Sequence, residues 1–153
     1  MTVGAVAGTK LYIAPPGTLP LSPDLWVLIS KVANIGAIGN TFNKIAVESI
    51  DDGYTRQIKG TEMAPAFPLV MNRDDDDAGQ GDVVDAAANR NDLYNFKLVE
   101  NDGDGVSEAT ATVITFKGRV YGAPRNYGGV NDLKQISTEI EIEPDSIVFT
   151  AAP

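Results

Sequence analysis

Three groups of carboxylates are the residues of this sequence best placed to do chemistry. Glu100, Asp102 and Asp104, followed by Gly105, occupy the first, third, fifth and sixth positions of a calcium loop. Such a loop gathers oxygen ligands around a hard cation and closes on a bidentate Glu at its twelfth position; here that position is Ala111. The segment therefore reads as an acidic hairpin turn. Asp74, Asp75, Asp76 and Asp77 offer four more carboxylates. Adjacent carboxylates repel one another and cannot all point at one ion, so a solvated cap at a helix start is the better reading. Glu139 and Glu141 lie two apart, on one face of a strand. General acid–base work needs such a pair to have its pKa values driven apart, and no substrate-binding motif lies near them. The Gly36 and Gly39 pair matches neither phosphate-loop spacing. A calcium- or carbohydrate-binding β-sandwich module remains the alternative reading, with a carboxylate hydrolase built on Glu139 and Glu141 behind it.

The chain has 153 residues with no histidine and no cysteine. Without them, the usual zinc sites and Ser-His or Cys-His nucleophiles cannot be built, which disfavours catalysis. The net charge of −9 is local: residues 74–108 carry eleven acids and two bases, and the remainder balances at ten of each. No basic stripe for gripping phosphates is present. The N-terminal residues lack the pattern of a signal peptide, no apolar run is long enough for a membrane anchor, and a soluble protein made in the cytoplasm is expected.

The elements that must position these residues are mostly strands. Residues 1–8 read as an N-terminal arm. Strands are expected at 9–14 and 26–32, with Trp26 as a core or interface anchor. A hairpin follows over 41–60, turning at Asp52 and Gly53. Its polar side chains forbid burial of both faces in a small domain, so it reads as a projecting loop. Residues 63–71 form another strand, which Pro65 and Pro68 confine to edge-like or irregular pairing. A helix is expected over 76–89, with Val83, Val84, Ala87 and Ala88 on one face and Gly79 and Gly81 weakening its first turn. Strands at 93–100, 110–121 and 135–143 follow. In the last, Ile136, Thr138, Ile140 and Ile142 alternate with Gln135, Ser137, Glu139 and Glu141, giving one buried and one wet face. In the strand before it Thr115, Lys117 and Arg119 take the wet side. A short strand at 147–149 belongs to a C-terminal arm over 144–153. The sum is a mainly β fold with one flanking α-helix: an antiparallel sandwich or barrel in a single domain, 1–153.

Taken in order, several segments resemble the major tail tube protein family of long-tailed (siphovirus-type) bacteriophages. They are Gly8 through Ala14, Trp26 through Gly36 leading to Phe42, the R-x-x-K-G stretch at Arg56, Lys59 and Gly60, and the R-D-x-x-D-x-G-Q helix start at Arg73, Asp74, Asp77, Gly79 and Gln80. The resemblance implies subunits that form six-fold rings stacked into a tube, with double-stranded DNA passing through it. Further partners would be tail tip, tape-measure and tail terminator proteins. It implies a virion tail component assembled in the host bacterial cytoplasm, with no enzyme activity and no cofactor. A loop over 40–62 would reach the next ring, with Phe42, Lys44, Glu48, Asp52, Tyr54, Arg56 and Lys59 as its contacts. Thr115, Lys117, Arg119, Gln135, Ser137, Glu139 and Glu141 would line the lumen.

Overall fold

A computed structural model describes residues 4–18, 21, 23–103 and 110–152. Its strands are β1 (Lys10–Ala14), β2 (Val27–Ile29), β3 (Val32–Ile35), β4 (Thr41–Glu48), β5 (Thr55–Met63), β6 (Phe67–Asn72), β7 (Tyr94–Val99), β8 (Val113–Val120), β9 (Arg125–Asn126), β10 (Gln135–Ile142) and β11 (Val148–Thr150); the helix is α1 (Ala78–Ala88). The main antiparallel sheet runs β2-β1-β7-β8-β10-β6-β3, with β11 beside β8 and β9 beside β10. β4 and β5 pair only with each other.

The two ends of this path, β2 and β3, are separated in the chain by only Ser30 and Lys31. The sheet must therefore roll until its edges meet, which protects edge strands from pairing with other chains. The expected single strand over 26–32 is thus two strands. Lys31 breaks it at φ 61, the left-handed region. Asn72 donates its N–H to the Lys31 carbonyl at 2.8 Å, and the Ser30 N–H donates to Asp77 Oδ2 at 3.0 Å.

Inside the roll the alternating apolar residues form the core. Phe96 stacks on Phe116 with centroids 5.4 Å apart, and Phe67 meets Phe116 edge-on at 5.5 Å. Leu11, Ile13, Leu69, Met71, Ile140 and Ile142 complete the buried interior.

The strand expected over 63–71 is likewise two, β5 and β6, parted around Pro65. β6 is not an edge strand, because it lies between β10 and β3. Pro68 is tolerated there because pairing with β3 stops at Leu69. Its missing N–H points to the same side as its carbonyl, which receives the Gly36 N–H at 2.9 Å. Gly36 is required at that point: a Cβ would sit 2.4 Å from Pro68 Cδ.

α1 is shorter than expected at both ends. Asp77 caps it, accepting the Gln80 N–H at 3.0 Å, and the helix packs against β2, β1 and β8. Val83 is buried and Val84 and Ala87 pack against the core as expected, whereas Ala88 faces solvent and Gly79, Gln80 and Ala86 join the buried side.

Candidate functional site

Two exposed sheet faces and one buried junction hold the candidate residues. The first face belongs to β8 and β10. Ile114, Phe116 and Val120 on β8, and Ile136, Thr138, Ile140 and Ile142 on β10, point into the core. Strand alternation then turns Thr115, Lys117, Arg119, Gln135, Ser137, Glu139 and Glu141 to the opposite face. The structure thus gathers all seven on one side of the sheet. Glu141 lies opposite Arg119 and Glu139 opposite Pro68. Arg119 Nη1 stands 3.6 Å from Glu143 Oε1. The Tyr121 phenol donates to the Glu141 carboxylate, which raises the phenol's pKa. Thr115 is flanked by Val148 of β11, so the patch forms a diagonal band of mixed charge.

The second face belongs to the β4–β5 hairpin. Asn40 fixes its base, donating to Glu62 Oε1 and to the Pro144 carbonyl, each at 2.8 Å. Lys44 lies opposite Lys59 and Glu48 opposite Thr55. The Lys59 ammonium sits 4.9 Å from the centre of the Phe42 ring, so Phe42 shares this polar side. Asp52 at the turn accepts from Arg56 Nε at 2.6 Å, and Tyr54 beside it is exposed. Arg56 pairs with Val47, on the other side of the ribbon. The expected contact residues are thus divided between the two faces.

That other side carries residues the sequence reading did not select. Ile45 lies directly opposite Ile58, with Val47 next along, and these three are 48%, 54% and 43% exposed. Their period-two spacing was a readable signal. The ribbon thus exposes three aliphatic side chains beside Arg56 on one face and a polar face on the other, and its strands pair only with each other.

The buried junction is the helix start. Gln80, only 2% exposed, accepts the Asp74 N–H at 2.9 Å and donates to the carbonyls of Ser30 at 2.9 Å and Asn72 at 2.8 Å. Arg73 Nε donates to Asp75 at 2.7 Å, and this pairing holds the Asp75 carboxyl below its ordinary value. Asp74 accepts the Asp76 N–H, and Asp77 serves both the helix and Ser30. Burial, reinforced by Asp85 and Asp77, pushes the Asp82 carboxyl up. Among the described residues no group of three or more acids is arranged to hold a metal ion. Of the candidate calcium loop, Asp102 accepts from the Thr112 N–H at 2.7 Å and hydroxyl at 2.5 Å, while Asp104 and Gly105 lie outside the described residues. Trp26 is half-buried, with the Lys97 ammonium 4.9 Å from its ring centre and 4.7 Å from that of Tyr12.

No family model matches the chain, and no curated protein sequence matches it significantly. Solved structures do match. One comes from the sheath/tube terminator of the PVC extracellular contractile injection system in its extended state, with TM-score 0.70, 8% identity and 99% of both chains covered. A second is the SPP1 tail tube, with TM-score 0.66, 13% identity, and coverage of 94% of this chain and 76% of the other. A third comes from the PVC sheath-tube complex, with TM-score 0.66, 10% identity, and coverage of 98% and 93%. A mainly antiparallel fold with one flanking helix, as expected from the sequence, is therefore the fold that this chain shares with tail tube proteins.

Proposed function

We propose that this chain is a structural tail tube subunit whose copies close into six-fold rings and stack into a conduit for double-stranded DNA in a virion tail of the siphovirus type. The fold shared with the SPP1 tail tube and the PVC sheath-tube complex supports this reading. The observation that carries it is the β4–β5 hairpin, which stands off the body with Ile45, Val47 and Ile58 exposed on one face. Apolar ribbons of this kind bury themselves on a partner, and a second copy is the partner that builds a tube. Phe42, Lys44, Glu48, Asp52, Tyr54, Arg56 and Lys59 then surround the inter-ring contact, and the band from Thr115 to Glu141 faces the lumen. Its mixed charge lets DNA slide without being held. Tail tip, tape-measure and terminator proteins are its further partners, host cytoplasm is where it assembles, and its role is non-enzymatic. Negative-stain electron microscopy of the purified protein tests this. Rings or tubes are expected; a protein that stays monomeric at high concentration and low salt would contradict it.

A further inference from the structure

A second apolar projection lies at the end of the molecule where β9 leads into β10. Tyr127, Val130 and Leu133 are 55%, 102% and 68% exposed on the loop between these strands. The loop is shaped rather than slack. Gly128 takes φ 68, the Gly129 N–H donates to Asp132 Oδ2 at 2.6 Å, and the Asp132 N–H returns to the Gly129 carbonyl at 3.2 Å. The Asp132 carboxylate is thereby engaged within the loop. The exposed bases Arg125 and Lys134 flank it on either side.

The opposite end of the sheet carries a hollow of about 360 Å³ whose walls include Val6, Ile35, Leu98, Glu100 and Asp102. Its walls are tied in place. Asn101 Nδ2 donates to the Ala7 carbonyl at 2.9 Å, and the Glu100 N–H donates to the Thr112 carbonyl at 2.9 Å. The strand ladder sets the separation. Gln135 pairs with Asn126 and Asn72 at the loop end, while Val113 pairs with Val99 at the hollow end. β8 runs from Val113 at the hollow end to Val120, which pairs with Ile140, and β10 continues from there to Gln135 at the loop end. A second copy displaced along the strand direction can bring its loop to this hollow.

We propose that the β9–β10 loop of one copy docks in this hollow of the next, forming an axial contact between stacked rings; the proposal rests on the tube reading above. Val130 and Leu133 meet the apolar walls, and Arg125 and Lys134 meet Glu100 and Asp102. The contact is head-to-tail, so it propagates instead of closing on itself. The complementary charges fix its register.

The native chain has no cysteine, which permits a clean crosslinking test. Both Ala5, which lines the hollow, and Val130 are exposed, so Ala5→Cys with Val130→Cys leaves the core untouched. Oxidation of assembled double variant should give a ladder of covalent oligomers on denaturing gels, with each single variant stopping at dimers. Tubes without a ladder would overturn the loop contact and leave the tube reading standing; a protein that never forms tubes would overturn both. As a second measurement, Arg125→Glu with Lys134→Glu should raise the concentration needed for assembly about tenfold, and adding Glu100→Lys should restore it. No change in that concentration, or no rescue, would overturn the pairing.

Discussion

The side chain of Gln80 shows how much can rest on one buried amide. It satisfies the Asp74 N–H and the carbonyls of Ser30 and Asn72, three backbone groups at the place where the rolled sheet meets the helix. Gln80→Ala strands all three, and buried polar groups without partners are costly. We expect a loss of about 3 kcal/mol, read as a lowered midpoint in urea unfolding. Gly79 beside it is fixed by space. A Cβ there would lie 2.1 Å from the Leu28 carbonyl oxygen and 2.7 Å from Ile29 Cα. Gly79→Ala must push α1 off β2, and we expect a loss of at least about 3 kcal/mol in the same measurement. The R-D-x-x-D-x-G-Q pattern was legible in the sequence as a helix start. Its deeper purpose was not, because hydrogen bonds from Gln80 to residues 50 positions away leave no periodic trace.

At the scale of elements, periodicity was a good guide wherever one face is buried. β8 and β10 have the expected wet and dry faces, because alternation over eight residues leaves little freedom. The two breaks that were missed, at Ser30 and Lys31 and around Pro65, have other causes. Lys31 turns the chain through a left-handed conformation that only tertiary hydrogen bonds hold, and no glycine marks the site. In the hairpin, charged residues drew attention away from Ile45, Val47 and Ile58. These side chains are solvent-exposed in the single chain, so Ile45→Lys with Ile58→Glu, an opposite-charge pair across the ribbon, should change its unfolding free energy by less than about 0.5 kcal/mol. The same double variant should fail to form tubes under the microscope. The turn after β7 gives a pH test. The Thr112 hydroxyl and N–H hold the Asp102 carboxyl below its ordinary value of 3.8. A lowered folded-state pKa stabilises the fold above that ordinary value, and the contribution is lost as pH falls through the lowered one. Asp102→Asn should therefore flatten the acid limb of the thermal stability curve below about pH 4, while leaving its shape at neutral pH unchanged.

For the whole molecule, the placement of charge argues how a tube could pass DNA. The excess of acid lies in residues 74–108, and of its described members Asp74 to Asp77, Asp82 and Asp85 belong to the helix and its start, not to the strands of the band on β8 and β10. Within that band Arg119 pairs with Glu141, and Lys117 and Glu139 add one charge of each sign, so the face attracts and repels a phosphate backbone in similar measure. If it lines the lumen, upsetting that balance should change how DNA is held without changing how subunits assemble. Glu139 and Glu141 are exposed, so Glu139→Lys with Glu141→Lys should leave tubes visible by electron microscopy. The altered tubes should retain DNA fragments at moderate salt where the parent protein retains none. Each phosphate neutralised steepens the salt dependence by about 0.9 in the logarithmic slope. A nuclease-protection assay across a salt series reads both effects. Equal retention by parent and variant would place this face elsewhere than on the lumen, whereas protection that fades steeply with salt would fix it as the surface that DNA passes.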